Sequence, residues 1–387
     1  MHILCLPSWY PNKYDENSGI FIKKHIDLIA ENHLVSVIYI HADTDKRDNR
    51  IESEVQFSGN LIEYRYYYRK SNIFFDTFYH LSCLVKGYRE IIKKSGKPDI
   101  CHLFVAYPAG LGALYLKFVH RLNFILTEHW TGFTKYDPRY NEYRSPVKKL
   151  IKKVFKNSLA VSAISKYLIN ELQENNFTEE KAILISNKLD LEQAEIINKN
   201  FNSELPVAIT VSNLDDFHKN VKGLIDAMKI VTETYPKFIL YIVGDGPDMK
   251  MLTEHAKLNK MLDINVMFTG AVPNKEVPDY YSMADFFILN SNFETFSIAT
   301  AEAIAHGLPV IVTKSGGPEE FVDDTNGILV ERDNPESLAG AIIKMIQNYT
   351  YYEREVISAA IKKRYHNDTI REQLNNFYKI ASSNHQP

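Results

Sequence analysis

Cysteine is scarce in this chain of 387 residues, with only Cys5, Cys83 and Cys101. They are odd in number, scattered, and lack metal-ligand spacing. Neither a disulfide framework nor a cysteine-rich metal centre is expected, and a reducing compartment is the simple reading. Net charge is nearly absent too. A formal −3 excludes a mainly electrostatic nucleic-acid binder, which needs a basic excess to displace counterions. No stretch approaches the roughly 18 uninterrupted apolar residues of a membrane span. The opening "MHILCLPSWYP" has no basic n-region and is broken by prolines, so it reads as a first strand and loop, not a signal peptide. Internal repeats and low-complexity segments are missing as well. The expectation is a soluble, cytoplasmic protein.

The length exceeds one compact core of ordinary size, so two domains are expected. In the first half "HILCL", "HLVSVIYIHA", "PDICHLFVA", "LNFILTEHW" and "SLAVSAIS" read as strands separated by helical spacing. The aromatic-rich stretch Leu61–Lys94 reads as an irregular excursion plus a helix. A polar break near Asn198–Pro206 precedes a fresh series: "VAITVSN", "FILYIVGDG", "NVMFTGAV", "DFFILNS", "PVIVTKSGG" and "GILVER". Two βα series imply an α/β protein of two doubly wound Rossmann-like domains, 1–200 and 201–365. The tail, 366–387, reads as a helix packing back on the first domain. Ligands of such sheets sit beyond the carboxyl ends of the strands, so a cleft between two facing domains is the expected site.

Two motifs bear on chemistry. "YIVGDGPDM" places Gly244 and Gly246 between a strand and a helix. The pair serves phosphate binding or simply a tight turn, and without a third glycine it disfavours a dinucleotide. "NFETFSIATAEAIAHGLPVIVT" is more informative. Its strand ends in a loop carrying Glu294, and an Ala-rich helix starting near Ser297 carries Glu302. The unpaired amides and positive dipole of that helix start suit a diphosphate. The two carboxylates, on either side of it, cannot form a close catalytic pair. They suit the hydroxyls at opposite ends of one ligand, which describes a nucleotide sugar; ordinary surface carboxylates are the competing reading.

The segment "ETFSIATAEAIAHGLPVIVTKSGGPEEFV" resembles the donor-site signature of retaining glycosyltransferases of family four, with its Glu-x7-Glu pair and GT-B architecture. "HKNVKGLIDA", "YIVGDGP" and "VMFTGAVPNKEVPDYYSMADFFILNS" agree in order and spacing. In the first half the likeness rests on "NSGIFIKKH", "PAGLGALYL", "LTEHWTGF" and "VSAISKYL". The resemblance implies that Glu302 holds the ribose hydroxyls and Glu294 the transferred sugar. It assigns the diphosphate to the amides of Phe296, Ser297 and Ile298 and to Lys219. It further assigns the base edge to Val272, the sugar and phosphate to His129, and close approach of the first loop to Gly19; Gly244 joins the donor contacts. One departure stands out: the family's arginine is replaced by Asn213, leaving His218, Lys222 or another base to supply its charge.

The implied reaction is retaining transfer from a UDP- or GDP-linked sugar to a glycan or lipid-linked acceptor, in surface polysaccharide assembly. No cofactor is implied, and without an Asp-x-Asp at a strand end no metal is expected. An epimerase or hydrolase of the same architecture and a non-catalytic nucleotide-sugar-binding subunit remain open. Residues 147–156 place an apolar face opposite five lysines, suiting either a peripheral membrane contact or packing on the helix's own domain. The cluster "YRYYYRKSNIFF" suits either an acceptor groove or local packing. His102 lines the cleft or is a satisfied buried histidine, His306 caps a helix end, and His255 and the other histidines read as solvated.

Overall fold

The computed structural model describes all residues except 49, 179–181, 192–193, 197–200 and 384–387. Part of the expected break at Asn198–Pro206 lies outside the described residues. The chain divides into two compact units, one of Met1–Lys188 with Asn367–Pro387, the other of Leu189–His366. The division thus falls earlier than residue 200. Ala194 belongs with the second unit because it is buried and its carbonyl accepts from Lys362 Nζ at 2.7 Å.

The first unit contains β1 (His2–Pro7), β2 (Leu34–Asp43), β3 (Glu52–Ser58), β4 (Leu61–Arg69), β5 (Ile100–Phe104), β6 (Phe124–Glu128), β7 (Val161–Ala163) and β8 (Ile183–Leu184). They form one eight-stranded sheet in the order β3-β4-β2-β1-β5-β6-β7-β8. Pairing is parallel except between β3 and β4. The central strands are continuous apolar runs because helices cover both faces, with Leu6 opposite Leu103 in register. The excursion expected after Leu61 is instead the strand β4, joined to β3 by a turn at Gly59 (φ 57°), followed by the helix Ile73–Ser95. Tyr64, Tyr66, Tyr67 and Tyr68 of β4 are buried, which gives that part of the aromatic cluster a packing role.

The final helix, Asn367–Ser383, buries Ile370, Leu374, Phe377 and Tyr378 in this same unit. Tyr378 Oη meets His102 Nδ1 at 2.7 Å, and His102 Nε2 meets Thr127 Oγ1 at 2.7 Å. His102 is therefore a satisfied core histidine.

The second unit contains β9 (Val207–Val211), β10 (Ile239–Val243), β11 (Val266–Gly270), β12 (Phe286–Leu289), β13 (Val310–Thr313) and β14 (Gly327–Val330). All are parallel, in the order β11-β10-β9-β12-β13-β14. The chain winds outward from β9 to β11, then returns to β12 on the other side of β9. The switch point therefore lies between β9 and β12, where a ligand is expected beyond the strand ends. Phe238, Ile242, Phe286 and Ile288 build the core with the helices Val221–Thr234 and Pro335–Gln347.

Candidate active site

The loops after β9 and β12 carry the second unit's chemistry. The short helix Asp216–Lys219 follows β9 and presents Lys219, and residues 290–297 follow β12. Lys219 Nζ donates to Glu294 Oε1 across the switch point. Ser291 Oγ donates to the same oxygen at 2.8 Å. The Glu294 backbone is pinned as well: its N–H donates to Ser315 O at 2.8 Å and its carbonyl accepts from Gly317 N at 2.9 Å. Asn292 N donates to His218 O at 2.7 Å, tying the two loops together. One cation and one largely buried carboxylate thus stand at the position where this sheet type takes its ligand.

The helix Ile298–Ala305 begins four residues after Glu294, with Ser297 as its N-cap in the left-handed region (φ 67°). Its first amides precede the helical ladder, so they carry the positive end of the dipole. The Phe296 ring packs on Phe321 and Tyr365 at 5.5 and 5.2 Å, which leaves only its backbone for a ligand. Glu302 lies within the helix, half-buried. It is near Tyr281, whose hydroxyl is pushed well up by burial and, secondarily, by the Glu302 charge. His306 caps the helix end, its Nδ1 meeting Glu302 O at 2.8 Å.

The Gly244–Gly246 turn has a packing reason. Gly244 has φ 135°, and a Cβ there would lie 1.9 Å from Ser212 O; one on Gly246 would lie 2.4 Å from Asn213 Oδ1. The turn thus supports the loop after β9, and Asn213 sits against it, exposed. Of the proposed replacements for the missing arginine, His218 is held by Asp215 at 2.7 Å and Lys222 points to solvent. A basic group absent from the sequence reading, Arg332 just past β14, donates Nη1 to Asn292 O at 2.7 Å. Val272 follows β11, half-buried.

In the first unit, Gly19 is left-handed (φ 61°), and a Cβ there would lie 2.4 Å from Trp9 O. Two residues on, the Phe21 ring packs 4.9 Å from His129. His129 is 4% exposed, and burial holds its imidazole well below the usual range, hence neutral. The preceding residue, Glu128, was not singled out from sequence. Its carboxylate accepts from Ala106 N (2.9 Å), His129 N (2.8 Å) and Trp130 N (2.9 Å), joining the loops after β5 and β6. Burial pushes its pKa up to about 7 against the pull of those three bonds.

Of the two surface readings left open for residues 147–156, the structure shows the packing one in part, and the reading of His255 as solvated changes. The helix Ser145–Asn157 buries Ile151, Val154 and Phe155, and Val154 packs against Gly110 of the helix Gly110–His120. That part of its apolar face is therefore occupied by its own unit, while Val147 and Leu150 are half-buried. His255 is not solvated but paired with Asp226 at 2.6 Å, and His2 and His25 are buried. Among the described residues no helix is long and apolar enough to cross a membrane.

The profile described as "Glycosyl transferases group 1" matches residues 192–364, and that described as "Glycosyltransferase Family 4" matches residues 27–193. The chain is 30% identical over 267 residues to N-acetyl-alpha-D-glucosaminyl L-malate synthase of Bacillus anthracis, covering 65% of this chain and 66% of that one. It is 25% identical to a putative teichuronic acid biosynthesis glycosyltransferase, TuaC, of Bacillus subtilis, covering 92% and 90%. In fold it is similar to sucrose-phosphate synthase from Thermosynechococcus elongatus, with a TM-score of 0.78 at 18% identity, covering 98% of each chain.

Proposed function

From the premise that the chain belongs to the family-four type of GT-B glycosyltransferases, with sugar-nucleotide-dependent activity, we propose that it transfers a hexosyl group with retention. The donor is a UDP- or GDP-sugar and the acceptor a glycan or lipid-linked glycan of surface polysaccharide assembly. The observation that carries the donor site is the Lys219–Glu294 pair at the switch point, beside the amino end of the helix Ile298–Ala305. An anion and a set of hydroxyls are what these groups take when they separate.

In this reading the amides of Phe296, Ser297 and Ile298 and the Lys219 ammonium hold the diphosphate. As the glycosidic bond breaks, charge grows on the departing phosphate oxygen, and fixed donors there lower the barrier without reorganising. Glu294 accepts from hydroxyls of the transferred sugar, orienting the anomeric carbon. Glu302 accepts from the ribose, and Val272 offers its backbone to the base. The acceptor hydroxyl then attacks the face the leaving group vacates. Helix amides and Lys219 do what a divalent cation does in other transferases, so no metal is required. The assignment of His129 and Gly19 to the sugar end is part of the same proposal. A thermal-shift screen of UDP- and GDP-sugars tests it, because a ligand binding only the folded state raises the melting temperature. No shift with any nucleotide sugar, nor with UDP or GDP alone, would refute it.

A further inference from the structure

The first two turns of the helix Ile73–Ser95 break a rule that the rest of the molecule obeys. Ile73, Phe74, Phe75 and Phe78 are 63%, 76%, 49% and 62% exposed. Further along, the helix buries Cys83, Leu84, Gly87, Tyr88 and Ile91 on one face. At 100° per residue Ile73 continues that face, whereas Phe74, Phe75 and Phe78 lie on the other side. The helix end thus carries apolar side chains on both sides, interrupted by Asp76 and Thr77, and a helix end of this kind is normally enclosed. It is well formed, with Asn72 Oδ1 accepting from Phe74 N and Phe75 N. Single exposed apolar residues need no explanation, but four on two adjacent turns mark an interaction surface.

The surroundings indicate the partner. Arg69 and Lys70 immediately precede the helix and are exposed. The helix end shares a cavity of about 510 Å³ with the start of the helix Ser145–Asn157, Ile73 and Thr77 on one side and Pro146, Val147 and Leu150 on the other. That second helix carries Lys149, Lys152, Lys153 and Lys156, all exposed, and no acidic residue. Lys153 Nζ lies 5.2 Å from the ring of Phe118, which is itself 58% exposed. The one acid on the protruding turns, Asp76, is half-buried and accepts from Ser71 N at 2.8 Å.

We propose that this end of the first unit docks on an anionic lipid surface, with Phe74, Phe75 and Phe78 inserting among the acyl chains and the neighbouring lysines lying over the headgroups. Aromatic and aliphatic insertion beside a lysine-rich helix is the pattern of interfacial binding, in which apolar burial and attraction to anionic headgroups add. It differs from the sequence expectation in its inserting element: Ser145–Asn157 supplies charge, and Ile151, Val154 and Phe155 of its apolar stripe stay inside the protein. The proposal goes beyond the donor chemistry and does not depend on it.

The test is flotation of the full chain with phosphatidylcholine vesicles, with and without phosphatidylglycerol. The wild type is expected to float with the anionic vesicles and to stay at the bottom with the neutral ones. F74S/F78S is expected to lose about a hundredfold in partitioning, since each buried phenylalanine contributes about a tenfold change or more. K149E/K152E is expected to lose the preference for phosphatidylglycerol. All four substituted side chains are exposed, and urea unfolding of the same preparations serves as the folding control. Equal flotation of F74S/F78S and wild type would overturn the proposal, as would failure of the wild type to float. A wild type that sediments as a dimer while F74S/F78S sediments as a monomer would assign the patch to a second copy instead, and also overturn it. Absence of donor binding by wild type that floats would strike the functional reading alone.

Discussion

Lys219 and Glu294, 75 residues apart in the chain, form an ion pair because β9 and β12 are neighbours in the sheet. The pair is only partly exposed, 23% on the lysine side chain and 11% on the glutamate. Each partner currently satisfies the other. A donor that takes Lys219 by its phosphates and Glu294 by its sugar replaces both halves of the interaction at once.

Lys219→Ala is expected to lower the stability of the second unit by about 1–2 kcal/mol, because it leaves a largely buried carboxylate with one hydroxyl donor. Glu294→Gln in that background should recover most of the loss, since a neutral amide needs no counter-charge. Neither variant should recover transfer. Urea unfolding and donor turnover, measured on the two singles and the double, separate the roles. Equal stability of Lys219→Ala and wild type would remove the pair from the argument.

Glu302→Ala should weaken nucleotide-sugar binding by about tenfold or more, because a ribose gripped by a carboxylate loses a charge-assisted hydrogen bond. The same loss should appear for the free nucleoside diphosphate, which retains the ribose. Glu294→Ala should weaken the nucleotide sugar but leave the nucleoside diphosphate nearly unchanged. Calorimetric titration of both ligands against both variants reads this directly, and identical patterns for the two would contradict the division of labour.

The pH dependence of the first unit follows from three buried histidines around Phe104. His25, His102 and His129 have ring centroids 6.5, 4.0 and 6.4 Å from it. Burial lowers the pKa of His25 from 6.5 to about 4, and holds the other two well below the usual range. A base with a depressed folded pKa contributes stability that is present above its unfolded pKa and lost as pH falls toward the folded one. For His25 that is about 3 kcal/mol between pH 6.5 and 4. Glu128, raised from 4.5 to about 7, acts oppositely, its cost growing as pH rises across that window. The three histidines, with His80 of the same unit also lowered by burial to about 4, against Glu128 decide the sign: the first unit should lose stability on acidification below pH 6.5. Both tryptophans, Trp9 and Trp130, lie in this unit, so their fluorescence isolates it. A urea midpoint that stays level from pH 7 to pH 5 would contradict the sign.

Much of this was legible in the sequence, for physical reasons that also explain the misses. Parallel strands buried on both faces read as unbroken apolar runs, which is why β9 to β14 were all visible. β3 is exposed along its whole length, so it offered no burial contrast, and the tyrosines of β4 obscured the alternation. The Gly59 turn was the available signal. The spacing of Glu294 and Glu302 across a helix start was a local property and could be read. The Lys219–Glu294 contact was not, since it depends on strand order. Likewise, the amphipathic stripe of 147–156 shows that one face is apolar but not whether protein or lipid covers it. Here Val154 meets Gly110.

The departure at Asn213 yields the last prediction. In the resemblance an arginine at this position shares the leaving diphosphate with Lys219, and Asn213 brings no charge. Its side chain is exposed and borders the turn at Gly246, so a longer chain has room to extend toward solvent without displacing core. Asn213→Arg should therefore fold normally and, if the proposed donor site is right, put a second cation within reach of the leaving diphosphate. One such donor changes turnover by about tenfold or more in either direction. If the reaction relies on Lys219 and the helix amides alone, Asn213→Arg should raise kcat with little change in stability. If Arg332, anchored on the Glu294 loop through Asn292 O, already supplies the second charge, Asn213→Arg should leave kcat unchanged and Arg332→Ala should lower it. Measuring kcat for both variants assigns the second cation, and no effect from either would mean that leaving-group charge does not limit the rate.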